Sequence, residues 1–317
     1  MRILLDESIK PDQLVKIRAM GPQVDFVYAQ SGADMMKLAP TVEATIACLP
    51  SDDFIRAAKK LRWIQTRGQG IDWVPFGLLM ERGITLCNGR GGCSQSVAET
   101  ALGHMFALAI GTGHCIEYKV QHKNAFADYN LKKIELAGKT LLHLGLGSVG
   151  SHTVAMASAI GMHVIGCRRR PLPPPPGVHE VVFRPQLHEA LARADFVVMQ
   201  LPLTDLTRGF LDEPELRAMK KSAYLVNTGR GKTIVREPLL RAIGEGWIAG
   251  AALDVTDPEP LQPGDPIWDL PNTILSYHLA GSSDQIENRF EQLYSENVRR
   301  FVAGEQLLNI VDLVAQY

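Results

Sequence analysis

The sequence predicts an α/β protein built from two doubly wound parallel sheets. Short runs of β-branched or apolar residues alternate with helical stretches, which is typical of βαβ units whose helices cover both faces of a parallel sheet. The length of 317 residues is about twice that of a common domain. A GxGxxG pattern opens at residue 145, which indicates that a complete domain precedes it.

The first hundred residues predict five strands and two helices. The strands are expected at residues 3–5, 24–28, 44–49, 62–66 and 84–87. The helices are expected at residues 11–20 and 52–61. Ser51 is expected to cap the second helix, because its hydroxyl can accept a hydrogen bond from an unpaired N–H group of the first turn.

A long helix is predicted to begin near Ser96. The segment from Ser96 to Glu99 fits a capping box, in which the hydroxyl and the carboxylate each satisfy one unpaired N–H group. An apolar face follows at helical spacing, so one side of this helix should be buried. Its residues are Val97, Ala101, Met105 and Leu108.

A second α/β unit with six strands is predicted from residue 139 onward. The strands are expected at residues 139–144, 162–167, 196–201, 223–227, 248–253 and 273–276. Six strands match the doubly wound fold that binds dinucleotides. The proline-rich residues 171–176 predict a stiff extended loop, and residues 284–303 predict an amphipathic helix. The apolar residues of that helix are Ile286, Phe290, Leu293, Val298 and Phe301.

Composition argues against several classes of partner. The net charge of -1 provides no overall field to attract nucleic acid or an anionic membrane. The opening MRILLDES has too few apolar residues for a signal peptide, and no apolar run approaches the roughly 20 residues of a membrane span. A cytoplasmic protein is therefore expected. The five cysteines are an odd number without a CxxC pair, so neither a metal site nor a disulfide framework is expected.

Residues 145–150 match the GxGxxG fingerprint of dinucleotide binding. They follow a predicted strand and open a predicted helix at residues 151–160, which is the context that the fingerprint requires. Gly145 permits a tight turn, Gly147 lets a pyrophosphate approach the backbone, and Gly150 lets helix and strand pack closely. Ser148 and Val149, at the helix N-terminus, would meet the phosphate charge. A structural glycine turn without a ligand is the alternative.

Three arginines, Arg168, Arg169 and Arg170, follow the predicted strand 162–167, where an NAD enzyme offers a carboxylate to the ribose hydroxyls. A guanidinium group suits a 2′-phosphate, which a carboxylate would repel. NADP(H) is therefore expected in preference to NAD(H), and a solvated charge run is the alternative. The other residues expected at the cofactor are Pro202, Thr207 and Thr228.

Three segments are polar where strands are predicted to end, and they contain Arg230, Glu259 and His278. Ligands of open α/β sheets bind beyond the carboxyl ends of the strands. A guanidinium can pair with a carboxylate, an imidazole can protonate an alkoxide, and a carboxylate can stabilise imidazolium. Each residue alone has an ordinary alternative as a turn, exposed or packing residue. Their joint occurrence in one dinucleotide-binding chain predicts reduction of a carbonyl.

With these residues in place, the chain resembles the D-isomer-specific 2-hydroxyacid dehydrogenase family, which includes glyoxylate and hydroxypyruvate reductases. The resemblance covers nearly the whole chain. It rests on RWIQTRGQGID, ITLCNGRGGCSQSVAE, HLGLGSVG, LVNTGRGK, AALDVTDPEPL and PNTILSYHLAG. It implies that Arg230 binds and polarises a small 2-oxo acid, that His278 is the acid/base, and that Glu259 pairs with His278.

The resemblance also implies a layout and further site residues. Residues 1–94 plus 283–317 would form a substrate domain, and residues 95–282 a Rossmann-like dinucleotide domain, with the active site in the cleft between them. Backbone N–H groups of Gln69 and Gly70 would hold the substrate carboxylate, and Asp254 would help position the nicotinamide. Family members are commonly homodimers, so a homodimer is expected.

The chain departs from the family pattern at two places. Tyr277 stands where the residue before the histidine is usually proline, and Asn88-Gly-Arg90-Gly91 replaces the common NTPG. Arg90 or Tyr277 is expected either to select a polar or carboxylate substituent of the substrate or to serve loop geometry. Trp268 is expected in a core, at a subunit interface or near the site.

Two other functions compete with a reductase that uses NADPH in the reductive direction. The first is a non-enzymatic dinucleotide-sensing protein of the corepressor type, against which the lack of a long polar tail counts. The second is a different dinucleotide enzyme, such as a reductase of substrates without a carboxylate or a formate-type dehydrogenase, which normally uses NAD and a different histidine partner. Glu259 and the arginine run disfavour the formate-type enzyme.

Overall fold

The computed structural model describes residues 1–123 and 133–317. These residues form two compact units. The first unit comprises Met1–Cys93 and Ser283–Tyr317, and the second comprises Ser94–Ser282.

The first unit contains a five-stranded parallel sheet with the order β2-β1-β3-β4-β5. Its strands are β1 (Arg2–Leu5), β2 (Asp25–Tyr28), β3 (Ala44–Ile46), β4 (Trp63–Gln65) and β5 (Thr85–Cys87). This is the flavodoxin-like order of a doubly wound sheet. The five predicted strands are confirmed, although several are shorter than predicted.

Four helices connect these strands. They are α1 (Pro11–Met20), α2 (Gly32–Leu38), α3 (Asp52–Ala57) and α4 (Phe76–Arg82). Ser51 caps α3 as predicted, because its side chain accepts from the Phe54 N–H. The helix ends four residues earlier than predicted, since Ala58 leaves helical geometry and Leu61 enters the core. The prediction missed α2 and α4. Helix α2 begins after Ser31, and helix α4 ends at Gly83, which has a left-handed conformation.

The second unit contains a seven-stranded parallel sheet with the order β12-β11-β10-β9-β6-β7-β8. Its strands are β6 (Thr140–Leu144), β7 (His163–Cys167), β8 (Glu180–Val182), β9 (Phe196–Met199), β10 (Tyr224–Asn227), β11 (Gly250–Leu253) and β12 (Thr273–Leu275). The strand order reverses between β6 and β9, as in a Rossmann fold. The prediction of six strands is wrong, because the three-residue β8 pairs with β7 beyond the proline-rich loop.

Helices cover both faces of the seven-stranded sheet. They are α5 (Ser94–Ile110), α6 (Thr112–Val120), α7 (Ser148–Ala159), α8 (Leu187–Arg193), α9 (Glu213–Ala218) and α10 (Arg236–Gly244). The capping box predicted at Ser96 is wrong, because α5 already begins at Ser94 and places Ser96 inside its first turn. The Ser96 hydroxyl instead donates to the Gly281 carbonyl at 3.2 Å.

The last helix, α11 (Ile286–Ala303), packs its apolar face in the first unit. Phe290, Tyr294 and Val298 are buried in one core cluster with Ile17 of α1 and strand residues of the first sheet. Burying each such side chain contributes roughly 1.5–3 kcal/mol, which explains why this distant segment returns to the first unit. Within the described ranges, no helix has both the length and the apolarity needed to cross a membrane.

Candidate active site

The turn from Gly145 to Gly150, called the glycine turn below, has the geometry of a dinucleotide site. Gly145 has φ +104°, and a Cβ there would lie 2.9 Å from the Gln200 carbonyl oxygen. A Cβ at Gly150 would lie 2.1 Å from the Gly145 oxygen, so close packing excludes any side chain there. A Cβ at Gly147 would meet nothing within 4 Å. The turn is therefore closed on its protein side and open beside the N-terminus of α7.

A buried polar network lies under the glycine turn. The Gln200 side chain accepts from His143 Nε2 and from Thr153 Oγ1, both at 2.9 Å, and donates to Thr228 Oγ1 at 3.0 Å. Complete burial lowers the pKa of His143 to about 4. The imidazole is therefore neutral near pH 7 and donates through Nε2. The network connects the ends of β6, β9 and β10.

The arginine run follows β7 at the same edge of the sheet. Arg168 donates to the carbonyl oxygens of Leu172 and Pro173 at 3.1 and 3.0 Å, and so folds the proline-rich loop against itself. Arg169 and Arg170 are exposed. Positive charge therefore flanks the glycine turn.

The turn after β9 is closed by Thr207, whose hydroxyl donates to the Pro202 carbonyl at 2.5 Å.

Arg230 lies in a tight turn after β10. The Asn227 side chain accepts from the Gly229 N–H and donates to the Arg230 carbonyl, at 3.0 and 3.1 Å. The Arg230 guanidinium donates to the Gly229 carbonyl at 2.8 Å. A Cβ at Gly231 would lie 1.9 Å from the Thr256 oxygen. The turn that carries Arg230 therefore packs on the loop that continues to Glu259.

Glu259 and His278 are joined by a hydrogen bond, although 19 residues separate them in sequence. The bond links Nδ1 of the imidazole to Oε1 of the carboxylate. Both side chains remain partly exposed, His278 by 48% and Glu259 by 38%. Because Nδ1 is bonded to the carboxylate, Nε2 is the ring nitrogen that remains for another partner. The predicted pairing is thus present in the structure.

Residues 276–281, called the histidine loop below, carry His278 in an unusual conformation. Tyr277 and His278 have φ +54° and +59°, a left-handed geometry that costs roughly 1–2 kcal/mol for each non-glycine residue. The buried Asp254 holds the loop in place. Its carboxylate accepts from Ser276 Oγ at 2.7 Å, from Leu279 N at 2.9 Å and from Ala280 N at 3.1 Å.

The loop after β4, in the first unit, contains Gln69 and Gly70. The Asn88 side chain donates to the Gln69 carbonyl at 3.0 Å, and Cys93 Sγ lies 3.7 Å from Gln69 Oε1. Preceding the loop, Arg67 pairs with Glu287 of α11. The loop is therefore held from both sides within its own unit.

The two departures from the family pattern have structural partners. The Arg90 N–H donates to Asn88 Oδ1 at 3.2 Å, and its carbonyl accepts from the Asn309 side chain at 2.7 Å, which serves loop geometry. The ring of Tyr277 lies 6.0 Å from that of Trp268, and the two residues are 63% and 43% exposed respectively. Among the described residues, no cluster of three side chains could hold a metal ion.

Comparison with known proteins identifies the family. A model of the D-isomer specific 2-hydroxyacid dehydrogenase NAD-binding domain matches residues 102–280. The chain belongs to this family. It is an NAD(P)-dependent 2-hydroxyacid dehydrogenase, so the prediction of an enzyme is confirmed.

Relatives of this dehydrogenase agree with the assignment. It is 32% identical over 265 residues to a glyoxylate reductase of Korarchaeum cryptofilum, covering 82% of this chain and 79% of that protein. It is 33% identical over 264 residues to a D-3-phosphoglycerate dehydrogenase of Methanocaldococcus jannaschii, covering 82% of this chain and 49% of that protein.

A solved structure is similar in fold to this dehydrogenase. The D-isomer specific 2-hydroxyacid dehydrogenase of Xanthobacter autotrophicus, in complex with NADPH and MES, superposes with a TM-score of 0.84 at 25% identity. The match covers 100% of this chain and 99% of that chain. The predicted α/β class with a Rossmann-like domain is confirmed.

Sequence reasoning missed several polar residues of this dehydrogenase. His143 and Gln200 were predicted only as strand residues, and His104 and Ser276 were given no functional part. The available signal was a polar residue inside an apolar run, as at His143 between Leu142 and Leu144. Such a residue must find a hydrogen-bond partner when it is buried.

Proposed function

We propose that this enzyme reduces a small 2-oxo acid such as glyoxylate or hydroxypyruvate to the 2-hydroxy acid with NADPH, giving the D isomer where carbon 2 becomes a stereocentre, and that His278 supplies the proton. The observation that carries the proposal is the bond between His278 Nδ1 and Glu259, at the sheet edge that also holds the glycine turn. Reduced nicotinamide supplies a hydride to the carbonyl carbon of the substrate when the cofactor is bound.

His278 and Glu259 act as one acid. The carboxylate orients the ring through Nδ1, so that Nε2 carries the proton for the substrate oxygen. After transfer, the ring is neutral and remains hydrogen-bonded to Glu259 through Nδ1–H. A proton from solvent returns the ring to imidazolium before the next turnover.

Arg230 binds the substrate and polarises its carbonyl. A planar guanidinium suits the adjacent carboxylate and carbonyl oxygens of a 2-oxo acid. We also assign the substrate carboxylate to the backbone N–H groups of Gln69 and Gly70. Asp254 acts through the histidine loop, because the bonds to its carboxylate come from that loop.

The preference for NADPH rests on different roles of the three arginines, one that orders the loop and two that bind phosphate. Arg168 orders the proline-rich loop through Leu172 and Pro173. Arg169 and Arg170 are then placed on an ordered loop to meet a 2′-phosphate.

Arg169→Ser should raise the Michaelis constant for NADPH about tenfold and change that for NADH little, since one charge-assisted contact contributes roughly 1.5 kcal/mol or more. Arg56→Ala on α3 is the matched control, and an equal effect on both cofactors contradicts the preference.

A homodimer is proposed from the outer surfaces of α5 and α6. Phe106, Ile110, Ile116 and Val120 are between 42% and 72% exposed on these adjacent helices. Several exposed apolar side chains on two consecutive helices favour a second copy of the chain as their cover. Ile116→Asp should convert a dimer to monomer in sedimentation equilibrium, and a wild-type monomer contradicts the proposal.

One screen tests the proposed reaction. The enzyme is assayed with glyoxylate, hydroxypyruvate and larger 2-oxo acids, against NADPH and NADH, by the loss of absorbance of the reduced nicotinamide. Turnover of a small 2-oxo acid with a preference for NADPH supports the proposal. Absence of turnover with every 2-oxo acid contradicts it, and a preference for NADH contradicts only the cofactor assignment.

A further inference from the structure

We propose that His104 of α5 is a positioning residue that orders the histidine loop through the hydroxyl of Ser276. This inference rests on the proposed role of His278. His104 touches neither Glu259 nor His278 in the hydrogen bonds described above. It acts on the conformation of the loop that presents the acid.

The chain of hydrogen bonds has a single direction. Ser276 Oγ lies 2.7 Å from Asp254 Oδ1 and 2.9 Å from His104 Nε2. A carboxylate only accepts, so the one hydroxyl proton goes to Asp254. Nε2 must then donate to the hydroxyl oxygen, which defines the Nε2–H tautomer of His104. The histidine thereby prevents the Ser276 hydroxyl from turning away from Asp254.

The hydrogen bonds that end at Asp254 hold the backbone conformation at His278. Asp254 Oδ1 accepts from Ser276 and also from the N–H groups of Leu279 and Ala280. These contacts flank Tyr277 and His278, the two residues with positive φ. A strained backbone persists only where its surroundings over-determine it. The His104 chain is one of the contacts that maintain this loop.

The location of His104 suits a neutral donor. The side chain is only 9% exposed, and desolvation lowers its pKa although the Asp254 carboxylate opposes the shift. The helix α5 packs against β10 and β11, and Asp254 follows β11 directly. A second bond, from Ser96 Oγ to the Gly281 carbonyl at 3.2 Å, holds the far end of the loop. One helix therefore fastens the loop at both of its ends.

The first test reads the loop directly and needs no activity. In His104→Leu, hydrogen exchange of the Leu279 and Ala280 amides should become about tenfold faster, the effect of one lost hydrogen bond. His104→Gln keeps a donor at similar reach and should restore slow exchange. Met105→Leu, a volume-conserving change on the same helix, is the matched control. Unchanged exchange in His104→Leu, or an equal change in Met105→Leu, overturns the proposal.

The second test separates positioning from general stability. In His104→Leu, kcat should fall about tenfold while the Michaelis constant for NADPH stays nearly constant, because the glycine turn is untouched. Ser276→Ala should cause a similar loss, and the double variant should lose little more, since both changes break the same chain. Additive losses overturn the proposal. If His278→Ala retains turnover, the proposed function fails; if only His104→Leu is unaffected, this inference alone fails.

Discussion

The glycine turn and the histidine loop both need backbone with positive φ, and they obtain it in different ways. In the glycine turn the geometry falls on Gly145, which adopts φ +104° without steric cost. In the histidine loop it falls on Tyr277 and His278, which resist it. The first element is preformed by its own residues. The second is bonded to Asp254 and to His104 and Ser96 of α5, which lie far away in sequence, so remote substitutions should affect it more.

The largest expected effect is the loss of His278, the proposed acid, from the histidine loop. His278→Ala should lower kcat by about 10² to 10⁴, the usual contribution of general acid catalysis, with little change in cofactor affinity. Steady-state kinetics and cofactor titration measure the two effects. His163→Ala, an exposed histidine of β7, is the control and should be nearly wild type. Retained turnover in His278→Ala would show that another group supplies the proton.

The support of the glycine turn predicts a dependence of stability on pH. The pKa of His143 is about 4 in the folded protein and 6.5 in the unfolded chain. As the pH falls, the unfolded chain therefore binds a proton at His143 before the folded protein does. The free energy of unfolding should therefore fall between about pH 6.5 and pH 4, by roughly 3 kcal/mol from this group.

Urea unfolding of wild type and of His143→Leu at several pH values measures this dependence. Between about pH 6.5 and pH 4, the free energy of unfolding should fall less steeply with pH in His143→Leu than in wild type, whatever the stability of the variant at neutral pH. The same dependence on pH in both proteins would contradict a buried, neutral His143. His163→Leu is the matched control, because its imidazole is exposed.

A side chain added to the glycine turn should sharpen the contrast between the two elements. Gly145→Ala places a Cβ 2.9 Å from the Gln200 oxygen at positive φ, which should cost roughly 1–3 kcal/mol in cofactor binding or stability. Calorimetric titration with NADPH and thermal unfolding detect it. Gly113→Ala in α6, where a Cβ would meet nothing within 4 Å, is the control. Wild-type binding by Gly145→Ala would show that the turn tolerates a side chain.

The smallest effect is expected for the reverse change in the histidine loop. Tyr277→Gly removes the left-handed strain but frees the unfolded chain, so the two contributions of roughly 1 kcal/mol should nearly cancel in stability. Thermal unfolding measures the sum. A loss well above this value would mean that the Tyr277 ring stabilises the loop through Trp268.

Much of the fold was predictable, because periodicity is a local property of the chain. Alternation of apolar runs and helices located the strands of both sheets except β8, which is three residues long and follows an extended loop. The start of α5 was misplaced by two residues, since Ser94 and Ser96 carry the same side chain. Which of two serines begins a helix depends on packing that spacing does not encode.

The candidate site divides in the same way. Arg230, Glu259 and His278 were predicted from their positions after strands, and the structure joins Glu259 to His278. The hydrogen bonds of Gln200 and His104 were not predicted. Each is a single polar residue in an apolar segment. The side-chain partners of Gln200 lie 28, 47 and 57 residues away in sequence, and Ser276 lies 172 residues from His104.

The sequence alone determined the parallel α/β class and the place of the glycine turn. Those features follow from the spacing of apolar side chains along the chain and from the conformational freedom of glycine. Both can be seen in residues that are close together in sequence. Only the tertiary structure decided how the histidine loop is held, because its left-handed backbone is stabilised by donors and acceptors from α5, β11 and the loop itself. Hydrogen bonds between distant segments exist only once the sheet has brought those segments together.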